Sequence, residues 1–144
     1  MRLTKFTDLA LRVVLRLAQA GESGALTPDA VARSVGATDT EIADVVDRLR
    51  RLGVVRGRAE LTLSPSGPQA SLGMLVRELE GSGDVAGCHD DPPCPLTGAC
   101  RLRGILRTAQ DAFYASLDPI TVRDLTSPPR SRLQWLGAPV IAPR

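Results

Sequence analysis

Aromatic residues are nearly missing from this chain, whose 144 residues include two Phe, one Tyr and one Trp. A core must therefore be packed from Leu, Val and Ala, which a hydrophobic content of 43% allows. Histidine occurs once, as His89. There is no G-x-S-x-G, no phosphate-cradling glycine loop and no pair of carboxylates in an evident pocket, so the chain reads as a non-enzyme. Asp90-Asp91 are adjacent acids on a loop, which are ordinarily just solvated. Long apolar runs are missing too. The opening MRLTKFTDLALRVVLRLAQAG is interrupted by Arg12 and Arg16, which excludes a membrane span or signal peptide and points to the cytoplasm. A net charge of +2 leans only weakly toward anionic partners, and there are no internal repeats.

What is present is a sequence of punctuated helices. Phe6, Leu9, Ala10, Val13, Val14 and Leu17 recur at helical spacing, predicting a helix over 7–20 that Gly21 ends. Thr27-Pro28 starts a second helix and Gly36 closes it. Thr38 and Glu41 form a T-x-x-E capping box ahead of Ile42, Val45, Val46, Leu49 and Leu52, with Gly53 as the stop. A short helix, a tight turn and a longer helix make a helix-turn-helix candidate. Val54-Val55 and Leu61–Leu63 then read as a hairpin through Arg56-Gly57-Arg58. The expected fold class is mainly α with a small β-hairpin wing: a winged helix-turn-helix domain over 1–80. A small helical domain with a merely structural hairpin fits the same pattern. Leu72, Leu75, Val76 and Leu79 place a fourth helix within 66–80. A cysteine-bearing loop follows over 81–97. Leu102, Ile105, Leu106, Ala109, Phe113 and Leu117 then mark a long helix over 98–117, stopped at Asp118-Pro119, within a dimerisation region of 98–125. Such a helix has few partners for its apolar stripe within one chain, so a homodimer is expected. Residues 126–144 form a Pro-rich tail expected to be flexible, although Trp135 could dock.

Cys88, Cys94 and Cys100 are the only cysteines, spaced C-x5-C-x5-C in GCHDDPPCPLTGAC. An odd count in a reducing compartment argues against structural disulfides. Structural zinc prefers close pairs such as C-x2-C, so intervals of five favour an iron–sulfur cluster held by three thiolates. Zinc on the three thiolates with His89, or three inert thiols, remain open. A fourth cluster ligand has to come from elsewhere, either His89, Asp90 or Asp91 nearby or a distant residue.

The opening MRLTKFTDLALRVVLRLA, the winged-helix pattern, the C-x5-C-x5-C loop and the following long helix resemble the NsrR group. These are nitric-oxide-sensing repressors among the bacterial winged-helix iron–sulfur regulators, which also include IscR. The resemblance covers roughly residues 1–125. It implies a homodimer in which Cys88, Cys94 and Cys100 hold a 4Fe–4S cluster, with Asp8 of the partner subunit as fourth ligand. Read on its own, Asp8 is an acid that the helix dipole favours in a first turn. The IscR branch has a histidine three residues after the last cysteine; here that position is Arg103, which disfavours the 2Fe–2S, IscR-like alternative. The implied mechanism is a holo dimer on a palindromic double-stranded DNA operator, with nitrosylation of the cluster lowering DNA affinity.

Candidate DNA contacts are Thr38, Thr40 and Arg48 on the third helix, Arg56 and Arg58 on the hairpin, and Arg2 and Lys5 at the N-terminus. The third helix also carries Asp39, Glu41, Asp44 and Asp47 against Arg48, Arg50 and Arg51, and its wing is short. Those features predict altered sequence preference or reduced affinity. The competing reading is a cluster-bearing redox or partner-binding protein whose DNA binding has weakened.

Overall fold

Each helix start and stop has a local cause. A computed structural model describes residues 2–21, 24–81 and 83–126. The Thr4 hydroxyl accepts from the Thr7 N–H and starts α1, Lys5–Ala20. Thr27, with Pro28 in the first turn, starts α2, Pro28–Val35. Gly36 takes the left-handed conformation, φ 72°, that a side chain would resist, and turns the chain into α3. α3 spans Asp39–Arg51 and begins with the expected capping box of Thr38 and Glu41. Strands β1, Val55–Arg56, and β2, Thr62–Leu63, pair antiparallel, with Val55 opposite Leu63 and Arg56 opposite Thr62. Leu26 bridges to Leu61, so the segment before α2 adds a third rung to the wing. The hairpin turns at Gly57, φ 92°, where a Cβ would stand 1.8 Å from the Glu60 carbonyl oxygen.

The second half departs from the expected boundaries. A single 3₁₀ turn, Gly67–Gln69, precedes α4, which runs Leu72–Glu80 instead of filling 66–80, because Ser71 caps it by accepting from the Met74 N–H. α5 spans Arg101–Leu117, with Cys100 as the residue before its first turn, and so starts three residues later than the apolar pattern indicated. A further helix, α6, Val122–Thr126, was not expected. Its signal is present, because Thr121 and Asp124 form a T-x-x-D box: the Thr121 N–H donates to Asp124 Oδ2 at 2.8 Å and the Asp124 N–H to Thr121 Oγ1 at 3.4 Å. Residues 127–144, with Trp135, lie outside the described residues.

The core joins Leu9, Ala10, Val13, Val14 and Leu17 of α1 to apolar residues of α2, α3, the wing, α4 and α6; among the described residues this cluster holds no aromatic ring, the buried Tyr114 of α5 lying outside it. Phe6, placed on the apolar face by spacing, is exposed at the surface. Fully burying one Leu or Val is worth roughly 1.5–3 kcal/mol, so stability here rests on many branched aliphatics. Val122 is fully buried, and the Val122 N–H donates to the Ala70 carbonyl at 3.1 Å, which brings the segment after α5 back onto the turn before α4. No helix among the described residues is long and apolar enough to cross a membrane.

Candidate metal centre and nucleic-acid interface

α4 and α5 pack together, and the cysteine loop spans from Gly81 at the end of the first to Cys100 at the start of the second. All three cysteines are free thiols; Cys88 is buried, whereas Cys94 and Cys100 are half-buried. The loop is closed by its own polar groups. The Cys94 N–H donates to the Cys88 carbonyl at 3.2 Å, and the Thr97 hydroxyl donates to the carbonyls of Cys88 and Cys94. Burial raises the pKa of the Cys88 thiol. Negative charge on Asp84, and to a lesser degree on Cys94 and Cys100, pushes it the same way, while the Arg103 guanidinium opposes them. Among the described residues, however, no three Cys, His, Asp or Glu side chains close around a single point as a metal site requires. The donor set, three unpaired thiols on one loop, fits a soft thiophilic metal such as iron or zinc.

The base of the loop holds a network that spacing did not disclose. Arg103 Nε donates to Asp84 Oδ2 at 3.0 Å, and Arg103 Nη2 lies 2.9 Å from His89 Nε2. His89 Nε2 stands 3.4 Å from the same Asp84 oxygen, and the Asp84 side chain is only 12% exposed. Asp84 was missed because it is one more acid in a Gly-rich segment, with no periodicity to mark it. Arg103 and His89 were visible in the sequence, but their mutual contact was not. Asp8 stands in the first turn of α1, half exposed, with its carboxylate 2.8 Å from Arg12 Nη2. Among the described residues no hydrogen bond or ion pair joins it to the cysteine loop.

The candidate DNA contacts fall into two groups. Several are held by intramolecular partners. Arg48 Nη2 donates to the Glu78 carbonyl at 2.7 Å and lies 3.3 Å from its carboxylate, tying α3 to α4. Arg56 Nε donates across the wing to Thr62 Oγ1 at 3.1 Å. Lys5 Nζ meets Glu41 Oε1 at 2.5 Å. Thr38 is used in the cap, its N–H and hydroxyl both donating to Glu41 Oε2. That set of donors, Lys5 first and then Thr38, lowers the Glu41 pKa from 4.5 to about 2. The other group, Arg2, Thr40 and Arg58, is exposed. Arg2 borders a cleft with Glu80, Asp84 and Tyr114; Thr40 stands in the first turn of α3 and Arg58 at the wing tip.

Residues 3–128 match the model of the Rrf2 family, described as iron-dependent transcriptional regulators. The chain is 55% identical over 135 residues to the HTH-type transcriptional repressor NsrR of Streptomyces coelicolor, covering 90% of each protein. Among solved structures, the oxidized form of Staphylococcus aureus CymR superposes with a TM-score of 0.68 at 20% identity, covering 90% of this chain and 98% of that one. The IscR of T. potens does so with a TM-score of 0.65 at 19% identity, over 87% and 85% of the two chains. The structural likenesses establish the winged-helix fold with its appended helix. Together with the family match over nearly the whole described region, they lead to one conclusion: this chain belongs to the Rrf2 family of transcriptional regulators.

Proposed function

We propose that the chain is a dimeric transcriptional repressor whose three thiols hold a 4Fe–4S cluster that responds to nitric oxide. The observation that carries the reading is the conjunction of the 55% identical repressor with three free thiols on one loop between α4 and α5. Cys88, Cys94 and Cys100 would hold the cluster, and Asp8 of the partner subunit would supply the fourth ligand. When bound, the cluster supplies iron that nitric oxide can attack. Among the described residues the Asp8 carboxylate pairs with Arg12, on the exposed face of α1, so it can be recruited without disturbing the core. Because α1 packs on α2, α3, α4 and α6, a change at its first turn reaches the DNA-reading unit directly. Ligation must differ between the two DNA-binding states, or nothing is shifted.

α3 and the wing would read a palindromic operator, with Thr40 and Arg58 at the DNA face and Arg2 and Lys5 near the phosphates. Leu102 and Ile105, 60% and 62% exposed on α5, are large apolar side chains suited to pairing with a second copy. A second reading, a cluster protein with weakened DNA binding, is favoured by the exposed Asp39 and Asp44 on α3 and by the internal partners of Lys5, Arg48 and Arg56.

The test is anaerobic purification with absorption and iron analysis, then nitric oxide titration and gel shift on the chain's own promoter region. A brown protein that shifts that DNA and releases it on titration is expected. A colourless, zinc-loaded protein would remove the cluster, and absence of a specific shift at low salt would favour the second reading. Asp8→Ala should alter the cluster spectrum with the fold intact; an unchanged spectrum and response would refute its role as a ligand.

A further inference from the structure

The cysteine loop is long, rich in Gly and Pro, and almost without regular structure, yet its first cysteine is buried. The burial has an identifiable cause. Arg103 lies three residues beyond Cys100, within the first turn of α5, and its guanidinium reaches back to Asp84 and His89, which bracket Cys88 in sequence. Asp84, Cys88, His89 and Arg103, together with Arg107, border a cleft of about 230 Å³ at the base of the loop. Asp84 and Arg103 are the least exposed members of their ion pair network, at 12% and 29%. A partly desolvated, charge-assisted contact of this kind is stronger than the surface pairs elsewhere on the molecule.

We infer that Arg103, Asp84 and His89 form a clamp that sets the positions of Cys88 and Cys100 relative to one another before any metal binds. The inference rests on the reading of the three cysteines as ligands. Closing an otherwise free loop costs conformational entropy. A clamp joining residue 84 to residue 103 meets that cost in the metal-free chain, so less has to be recovered from ligation. Arg103 is then a positioning residue: among the described residues no hydrogen bond joins it to a cysteine, and it acts by holding the segment that carries Cys88 against the first turn of α5, next to Cys100.

The electrostatics supply the means of testing this. Arg103 and Asp84 act on the Cys88 thiol with opposite signs, but they are the two halves of one clamp. The experiment measures alkylation of each cysteine by iodoacetamide, resolved by mass spectrometry, in the reduced, metal-free full chain. Arg103→Ala and Asp84→Ala should both speed labelling of Cys88, by about tenfold, the range set by losing a charge-assisted hydrogen bond. The double variant should label no faster than either single one, because the clamp is already open. Opposite changes in the two single variants would mean electrostatics without a clamp; unchanged rates, or additive ones, would likewise overturn the inference. Asp84→Asn, nearly isosteric, serves the same comparison should either alanine variant lose helicity by circular dichroism. In the iron-loaded chain, the same variants should lose visible absorption to a chelator about tenfold faster than the parent. A parent chain that carries no iron would sink the cluster reading while leaving the alkylation test of the clamp intact.

Discussion

Gly73 sits in the first turn of α4 where that helix meets the end of α5, and replacing it with Ala puts two known magnitudes in opposition. Inside a helix, Gly→Ala is ordinarily stabilising by about 1 kcal/mol, through lost backbone freedom in the unfolded chain. Here the new methyl would stand 2.2 Å from Asp118 Oδ1, 2.6 Å from the Tyr114 carbonyl oxygen and 2.7 Å from the Asp118 nitrogen. The carboxylate can swing aside, at the cost of its ion pair with Arg77 at 3.4 Å, but the two backbone atoms cannot move without α5. Overpacking of that kind costs typically 1–3 kcal/mol, which outweighs the propensity gain. Two immobile backbone atoms place the cost in the upper part of that range, about 2–3 kcal/mol, so the expected net is a loss of about 1–2 kcal/mol, or a fall of roughly 3–8 °C in the thermal midpoint for a chain of this size. Gly104→Ala is the control. No atom lies within 4 Å of a Cβ placed there, so the propensity term should act alone and raise the midpoint. Thermal unfolding followed by circular dichroism measures both. If Gly73→Ala matched or exceeded the parent, α5 would not press on α4 as described, and the geometry assigned to the cysteine loop between them would fail with it.

Glu41→Gln tests the link from α1 to the start of α3. A depressed carboxylate pKa stabilises the fold fully above the unfolded value of 4.5, and that stabilisation is lost as pH falls toward about 2. The difference in midpoint between parent and variant should therefore be largest above pH 4.5 and shrink toward pH 2; a difference independent of pH refutes the assignment. If the chain pairs through α5 as proposed, Ile105→Glu should leave it monomeric where the parent is dimeric, read by light scattering, with helicity kept because Ile105 is exposed; an unchanged mass would move the interface elsewhere. Cys94→Ala should abolish visible absorption and bound iron without lowering helicity, and retention of a full iron complement would contradict a three-thiolate site. Arg58→Ala should weaken DNA binding across all sequences and flatten the salt dependence by about one unit of log–log slope, whereas equal slopes would remove Arg58 from the phosphate contacts.

The first half of the fold was legible because most of its boundaries carry their own chemistry. Thr27 and Thr38 read as caps and do accept from an N–H of the turn they start, and Gly36 takes the φ the turn needs; the Thr4 cap was not read, and α1 starts at Lys5 rather than at 7. Apolar residues at helical spacing did the rest, Phe6 excepted. The second half was less legible because its contacts are between segments distant in sequence. The apolar pattern around Leu72 did not say where α4 begins: Ser71 caps the helix locally, but that start is also fixed from a distance by the Leu72 N–H donating to the Ile120 carbonyl at 2.8 Å. The Thr121–Asp124 box was readable, but a five-residue helix has too little periodicity to draw attention to it.

The candidate site divides along the same line. Three evenly spaced thiols announce themselves, because no packing argument needs them on a Gly- and Pro-rich loop. Asp84 does not, because a clamp is defined by the partner it finds. The acidic count on α3 needs a similar correction. Glu41 is taken up by the cap and Lys5, and Asp47 by Arg51 at 2.6 Å. Each pairing sets one base against one acid, so the summed charge of this surface stays where the sequence put it. What the pairing alters is how the charge is distributed: a paired acid and base present a dipole, whose field fades within a Debye length of about 10 Å. Asp39, Asp44 and Arg58 form no ion pair among the described residues, so their fields are not offset at short range. An operator suited to this surface must offer donors, such as the cytosine amino group, opposite the first turns of α3 and phosphates opposite the wing.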